Sequence, residues 1–335
     1  MSRDRGGRGL IGVIDCHRAE CTNTAEYLSS ASKTDPLCKI ILQAEEPKKH
    51  GIMSYLTHNR GSTDDIDKDH EKKLLEMKLH GNYFEQQEKL PDIDLELSRR
   101  WLSSSFLRYE TESLICAAQE QVLATNHIRT KIWGTSESSL CRLCKEQNET
   151  VHHIVSGCKM LCATQYLHRH NQVARYLHWN ILRDLEINVS DSWMKHKPLD
   201  STSKDGITVM WDMSITTDKK VLHNKPDIII HDRNKRTCII CDVAVPVCYN
   251  VVSKTAEKIT KYHDLEIELQ KCWNLKEVRT VPIVIGALGS VCKSFPQYAK
   301  VISPNIKFNE IQRTALLGTT HILRNFLTPY KILPS

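Results

Sequence analysis

The chain has 335 residues, 40% hydrophobic and 26% charged, which is the balance of a water-soluble globular protein with room for two or three compact units. Its net charge of +6 permits a nucleic-acid partner without requiring one, because Lys and Arg are well mixed with Asp and Glu. No run approaches the roughly 18 apolar residues of a membrane span, and the opening MSRDRGGRGLIGV has too little apolar sequence for a signal peptide. Thirteen cysteines, an odd number without an export signal, argue for core thiols or metal ligands over a disulfide framework, so an intracellular protein with no membrane role is expected.

Residues 1–20 contain GGRGL, read as a flexible opening. Residues 22–90 read as mostly helical, and their polar run TDDIDKDHEKK (63–73) suits a linker or a solvated helix. Over 94–132 the spacing predicts helix, with Leu107, Leu114, Cys116, Ala117, Val122 and Leu123 burying one face and Glu110 and Glu112 early in the pattern. A cysteine-histidine cluster occupies 141–158. The segment 159–186, rich in His, Arg and aromatics such as His170 and Trp179, is expected to be helical. Pro198 and Gly206 break the polar stretch 187–207, which is the expected domain boundary. Beyond it, VLHNKPDIIIHD, RTCIICDVAVP and VRTVPIVIGALG read as strands. A helix at about 253–273 separates the second from the third, and another is expected over 305–328.

Cys141-Arg-Leu-Cys144 is followed by eight residues, His153, four more, and Cys158. Thiolates and a neutral imidazole are the ligands zinc prefers, and four of them close a tetrahedral shell, so a structural zinc site is expected. His152 is the rival ligand. Cys162 reads as a packing residue, and the second C-x-x-C, Cys238 to Cys241, lies in a strand pattern whose alternate residues face opposite ways. The basic, aromatic helix after the cluster suits phosphate and base contacts, or equally a solvated face.

Asp227 opens one strand and Asp242 closes the next, with a turn at Asp232–Lys235 folding the two into a hairpin. That turn sets Asp227 near residues 240–241, so the two carboxylates converge at one end of the sheet. Converging acids repel unless a divalent cation lies between them, and oxygen ligands suit Mg²⁺. In many nucleases a lysine follows two residues after the second acid; here that position is Ala244. The following helix offers Lys254, Glu257, Lys258 and Lys261 on one face. On spacing alone, strand-end turn formers and a solvated Lys/Glu stripe remain the competing account.

With these residues the sequence resembles the C-terminal part of the polyprotein of non-LTR retrotransposons that carry a restriction-like endonuclease of the PD-(D/E)XK type. The matching stretches are GGRGL (6–10), ETESLICAAQEQVLATNHI (110–128), CRLCKEQNETVHHIVSGC (141–158), KPDIIIHDRNKRTCIICDVAVP (225–246), AEKITKYHDLEIELQKCWN (256–274) and VPIVIGALG (281–289), with 40–90 matching least. The resemblance implies an α+β protein in three parts. These are a helical region (1–135) that follows a polymerase palm, a zinc knuckle with its basic helix (136–190), and a restriction-like endonuclease domain with a small mixed sheet (205–335). No Y-x-D-D motif occurs in the sequence, so the palm itself is expected to lie outside it. The resemblance further implies structural Zn²⁺ at the cysteine-histidine cluster and Mg²⁺ on Asp227 and Asp242. It makes Lys258 and Tyr262 the basic-x-x-x-Tyr element, with Lys261 the alternative lysine. Target DNA and element RNA become the partners, nicking of DNA in the nucleus the activity, and an inactive nucleic-acid-binding remnant the alternative.

Overall fold

The computed structural model describes residues 1–10, 12–45, 48, 51–57, 63–104 and 106–327. The chain divides into two compact units, Met1–Gly81 and Asn82–Ser335. The first is helical, with α1 (Val13–Ala31), α2 (Pro36–Glu45), α3 (Ser54–Thr57) and α4 (Thr63–Glu76). The polar run is α4, and it is more than solvated. Asp67 accepts the Ser2 backbone N–H at 3.0 Å and Glu71 pairs with Arg5 at 2.9 Å, so the glycine-rich opening is tied down and not loose. Within the helical stretch expected at 22–90, positions 46–47, 49–50 and 58–62 lie outside the described residues.

In the second unit the helix expected over 94–132 is four short ones, preceded by α5 (Asn82–Glu88): α6 (Leu95–Arg99), α7 (Trp101–Ser104), α8 (Tyr109–Gln119) and α9 (Asn126–Lys131). Phe106 and Gln121 take left-handed backbone φ of 49° and 59°, which no right-handed helix includes. Asp94 and Thr125 start α6 and α9 by accepting the N–H groups of Leu97 and Ile128. The basic, aromatic helix is α10 (Lys159–Leu161), a π-helical turn over Cys162–Tyr166, and α11 (Leu167–Asp184).

Five strands follow: β1 (Ser201–Lys204), β2 (Ile207–Trp211), β3 (Ile228–Asp232), β4 (Thr237–Ala244) and β5 (Glu277–Val284). They lie in the order β1-β2-β3-β4-β5, antiparallel except for the parallel pair β4 and β5. The three expected strands are β3, β4 and β5. The β1–β2 hairpin is an addition, and it occupies part of the stretch read as a boundary. Its turn is Asp205-Gly206, both at positive φ (49° and 80°), the backbone a two-residue hairpin requires. A parallel pair needs a crossover, supplied by α12 (Val251–Lys261) and α13 (His263–Cys272), which together replace the single helix expected at 253–273. The chain then forms α14 (Phe295–Ile302) and α15 (Phe308–Leu327), the latter matching the expected 305–328 helix, of which residue 328 lies outside the described residues.

Strand alternation divides the core. Ile228, Cys241, Val243 and Ile283 pack against Val173, Leu177 and Ile181 of α11 and Ile311 and Ala315 of α15. On the other sheet face Ile229, Cys238 and Ile240 meet Leu265 and Leu269 of α13 and Tyr262. Since α11 and the sheet share one core, 136–190 and 205–335 are not separate units; the break between compact units lies at Gly81/Asn82. The result is a mixed α+β fold with a small five-stranded mixed sheet. Among the described residues no helix is long and apolar enough to cross a membrane.

Candidate functional site

The cysteine-histidine cluster is built on a tight reversal. The Cys141 N–H donates to the Gln147 carbonyl at 2.8 Å and Lys145 N–H to the Cys141 carbonyl at 3.0 Å, with Lys145 left-handed at φ 59°. A π-helical turn, His153–Gly157, then delivers His153 and leads into Cys158. Cys141 Sγ and Cys158 Sγ lie 3.9 Å apart, Cys144 Sγ and His153 Nε2 3.4 Å, and all four ligand atoms fall within 4.8 Å of one another. Tetrahedral zinc, with bonds of about 2.3 Å to sulfur and about 2.0–2.1 Å to nitrogen, spaces its ligand atoms about 3.5–3.8 Å apart. The four residues can therefore hold a metal ion such as zinc. His153 Nδ1 faces Gln147 Oε1 at 3.0 Å, which fixes the tautomer that leaves Nε2 free as a ligand. Burial pushes the Cys158 thiol up to about 11. His152 turns away, its Nε2 3.4 Å from Gln121 Nε2 and its ring edge-on to Tyr249 at 5.3 Å. Cys162 is exposed and outside the group, while Cys238 and Cys241 are buried on opposite sheet faces.

Glu149 braces this turn from within. Its fully buried carboxylate accepts the Arg142 backbone N–H at 2.8 Å, the Arg142 guanidinium at 2.9 and 2.6 Å, and the Asn126 N–H at 2.8 Å. Burial raises its pKa, but the donations from Arg142 and Asn126 outweigh burial and hold the carboxyl below its usual range. Arg142, seated between the two knuckle cysteines, also lies over the Phe326 ring of α15 at 5.0 Å.

At the sheet, β3 and β4 pair Asp232 with Thr237 and Ile228 with Cys241. One further step of that register sets Asp227 opposite Asp242, where the sequence placed it near 240–241. The turn runs longer than expected, Asp232 pairing with Thr237, because Asp232 Oδ1 accepts the Lys235 N–H at 2.9 Å and Arg236 takes φ 57°. Asp242 is 3% exposed. Tyr262 donates to its Oδ1, and Lys261 Nζ lies 3.4 Å from the same oxygen. Lys258 forms an ion pair at Oδ2, although that buried oxygen has no partner in hydrogen-bond geometry. Tyr262 stands at the joint of α12 and α13, its hydroxyl 2.8 Å from Lys261 Nζ. Burial first, and the Asp242 charge second, push its pKa far above the ordinary range, so it stays protonated and donates. Lys254 and Glu257 pair with each other at 2.6 Å, leaving Lys258 and Lys261 as the lysines of the stripe that reach the acid.

Asp227 is held by a residue that sequence reasoning did not place at the site. Its Oδ2 accepts the Val243 N–H at 2.6 Å and faces His170 Nε2 of α11 at 3.0 Å. Burial lowers the His170 pKa, but the hydrogen bond and charge of Asp227 outweigh it and raise the ring to about 9. The neighbouring Arg169 is 2% exposed and anchors α11, donating from Nη1 to Thr319 Oγ1 at 2.9 Å and from Nη2 to the Val245 carbonyl at 3.0 Å. It passes so close to α15 that a Cβ on Gly318 would fall 2.4 Å from Arg169 Cγ. Tyr166, Arg169, His170, Tyr249 and Lys258 line a cleft of about 760 Å³ that also reaches His153 of the cluster. The arrangement offers carboxylate oxygens to a cation and ammonium groups to an anion. No protein-family model matches the chain, and no curated protein matches it.

Proposed function

We propose that this chain is a metal-dependent endonuclease of the PD-(D/E)XK type, akin to the C-terminal region of a non-LTR retrotransposon polyprotein, and that it nicks one strand of target DNA. The observation that carries this reading is the convergence of Lys258, Lys261 and Tyr262 from one crossover on Asp242, with Asp227 in register beside it. Asp242, 3% exposed, draws three side-chain partners from one crossover, which a turn-forming role does not require.

Asp227 and Asp242 fit a divalent cation through the chemistry of their donor set, two carboxylates in register of which Asp227 Oδ1 has no protein partner among the described residues and Asp242 Oδ2 has no hydrogen bond, only the Lys258 ion pair. Asp227 and Asp242 would hold Mg²⁺, which when bound would supply activation of water and stabilisation of charge on a phosphodiester. Lys258 neutralises charge on the phosphate from the α12 side, which accounts for Ala244 at the strand position where related nucleases carry lysine. Lys261 and Tyr262 hold the Asp242 carboxylate in one orientation. The cysteine-histidine cluster, carrying zinc, orders the wall of the cleft that engages nucleic acid, target DNA and the element's RNA being the partners in this reading. A protein acting on chromosomal DNA works in the nucleus.

The test is nicking of supercoiled plasmid by purified protein with Mg²⁺. Wild type is expected to yield open circles and Asp227→Asn to yield none. If both are equally inert while DNA binding is retained and falls with salt, the chain is a binding remnant without catalysis.

A further inference from the structure

We infer that His170 is a positioning residue for the cation held by the acid pair, fixing the Asp227 carboxylate so that Oδ1 is the oxygen offered; this rests on the nuclease reading above. The Asp227 Oδ2 atom receives the Val243 N–H at 2.6 Å and His170 Nε2 at 3.0 Å, whereas Oδ1 has no hydrogen-bond partner among the described residues. A carboxylate with two donors on one oxygen cannot rotate to exchange its oxygens without breaking both bonds. Asp242 differs in one respect. Tyr262 and Lys261 hold its Oδ1, and Oδ2, which has no hydrogen bond, faces the Lys258 ammonium as an ion pair. On Asp227, then, one oxygen is committed to the protein and one is available to an ion, and on Asp242 the second oxygen is shared with Lys258.

His170 suits this task because it sits on a fixed element. Arg169 ties α11 to the residue that follows β4 through the Val245 carbonyl and to α15 through Thr319. The imidazole therefore approaches Asp227 from the opposite side of the sheet to α12, which brings Lys258 and Lys261 to Asp242. Outer partners of this kind orient ligating carboxylates, and their removal typically lowers metal affinity about 10–100-fold.

The experiment measures Mn²⁺ binding to the full zinc-loaded chain, by paramagnetic resonance or calorimetry, for wild type, Asp227→Asn, His170→Ala and His170→Gln, with the melting temperature of each. Wild type should bind Mn²⁺ and Asp227→Asn should not. His170→Ala should weaken binding about tenfold, and His170→Gln, whose amide keeps a donor near the place of Nε2, should restore most of the affinity. Wild-type affinity in His170→Ala, or equal loss in a folded His170→Gln, overturns the role of His170 and leaves the nuclease reading standing. Absence of Mn²⁺ binding by wild type removes that reading and the inference with it.

Discussion

Glu149 is fully buried, yet its carboxylate accepts four hydrogen bonds, three from Arg142 and one from the Asn126 backbone. Glu149→Gln keeps the volume but turns one acceptor oxygen into a donor that must face another donor. A hydrogen bond to a charged group contributes about 1.5–3 kcal/mol, and a buried donor left unsatisfied costs about 1–3 kcal/mol. The Arg142 side chain is 31% exposed, so water recovers part of its share and the upper end of the sum is discounted. The expected loss is about 2–4 kcal/mol, equivalent to a fall of roughly 5–10 °C in melting temperature for a unit of this size. Because Arg142 lies between Cys141 and Cys144, the same change should loosen the turn and speed zinc transfer to a chelator. Urea unfolding at pH 7 and a chromogenic chelator assay read the two effects. A stability within about 0.5 kcal/mol of wild type, together with unchanged zinc release, would refute the view that a buried charge braces the cluster.

Cys158→Ala should abolish stoichiometric zinc and lower stability, whereas His152→Ala should retain the metal, as mass spectrometry under native conditions would show. Tyr262→Phe should depress nicking sharply while changing the melting temperature little, because it removes one hydroxyl from Asp242 and leaves the packed ring. His178 and His196 form a buried pair with Nδ1 and Nε2 2.8 Å apart, and burial, with a smaller push from His196, lowers His178 to about 4. Above about pH 6.5 neither state protonates this ring; as pH falls from there towards 4 only the unfolded chain does, so stability declines by up to about 3 kcal/mol. His178→Leu should flatten that slope in urea titrations run between pH 7 and 5, and an unchanged slope would show that the acid sensitivity lies elsewhere.

The β3–β4 hairpin was legible because Ile, Val and Cys alternate between two faces, but its register was not. The Asx-type contact of Asp232 and the left-handed Arg236 lengthen the turn, and apolar spacing carries no trace of either. The β1–β2 hairpin was announced by Asp205-Gly206, a signal outweighed by the polarity of the surrounding stretch. The helix read over 94–132 failed at Phe106 and Gln121, apolar and polar residues whose positive φ only tertiary contacts can enforce. Lys258 and Lys261 could be found from helical periodicity on the segment that follows Asp242, whereas Tyr262 was indicated only by the family resemblance. His170 could not, because 57 residues separate it from Asp227 and nothing local ties the two. The choice of His153 over His152 was legible in its four-residue spacing to Cys158, although the turn that delivers it is π-helical.

Gly318 lies in the middle of α15, where a glycine ordinarily costs a helix about 1 kcal/mol against alanine. Any programme of helix stabilisation would choose it early. Here a methyl group would come within 2.4 Å of the Arg169 stem, and α11 would have to slide or Arg169 would have to release Val245 and Thr319. Either movement carries His170 away from Asp227, across a helix and a strand from the substituted position. A substitution that improves local helix propensity would then loosen the contact between His170 and Asp227 while the carboxylates and lysines themselves stay intact.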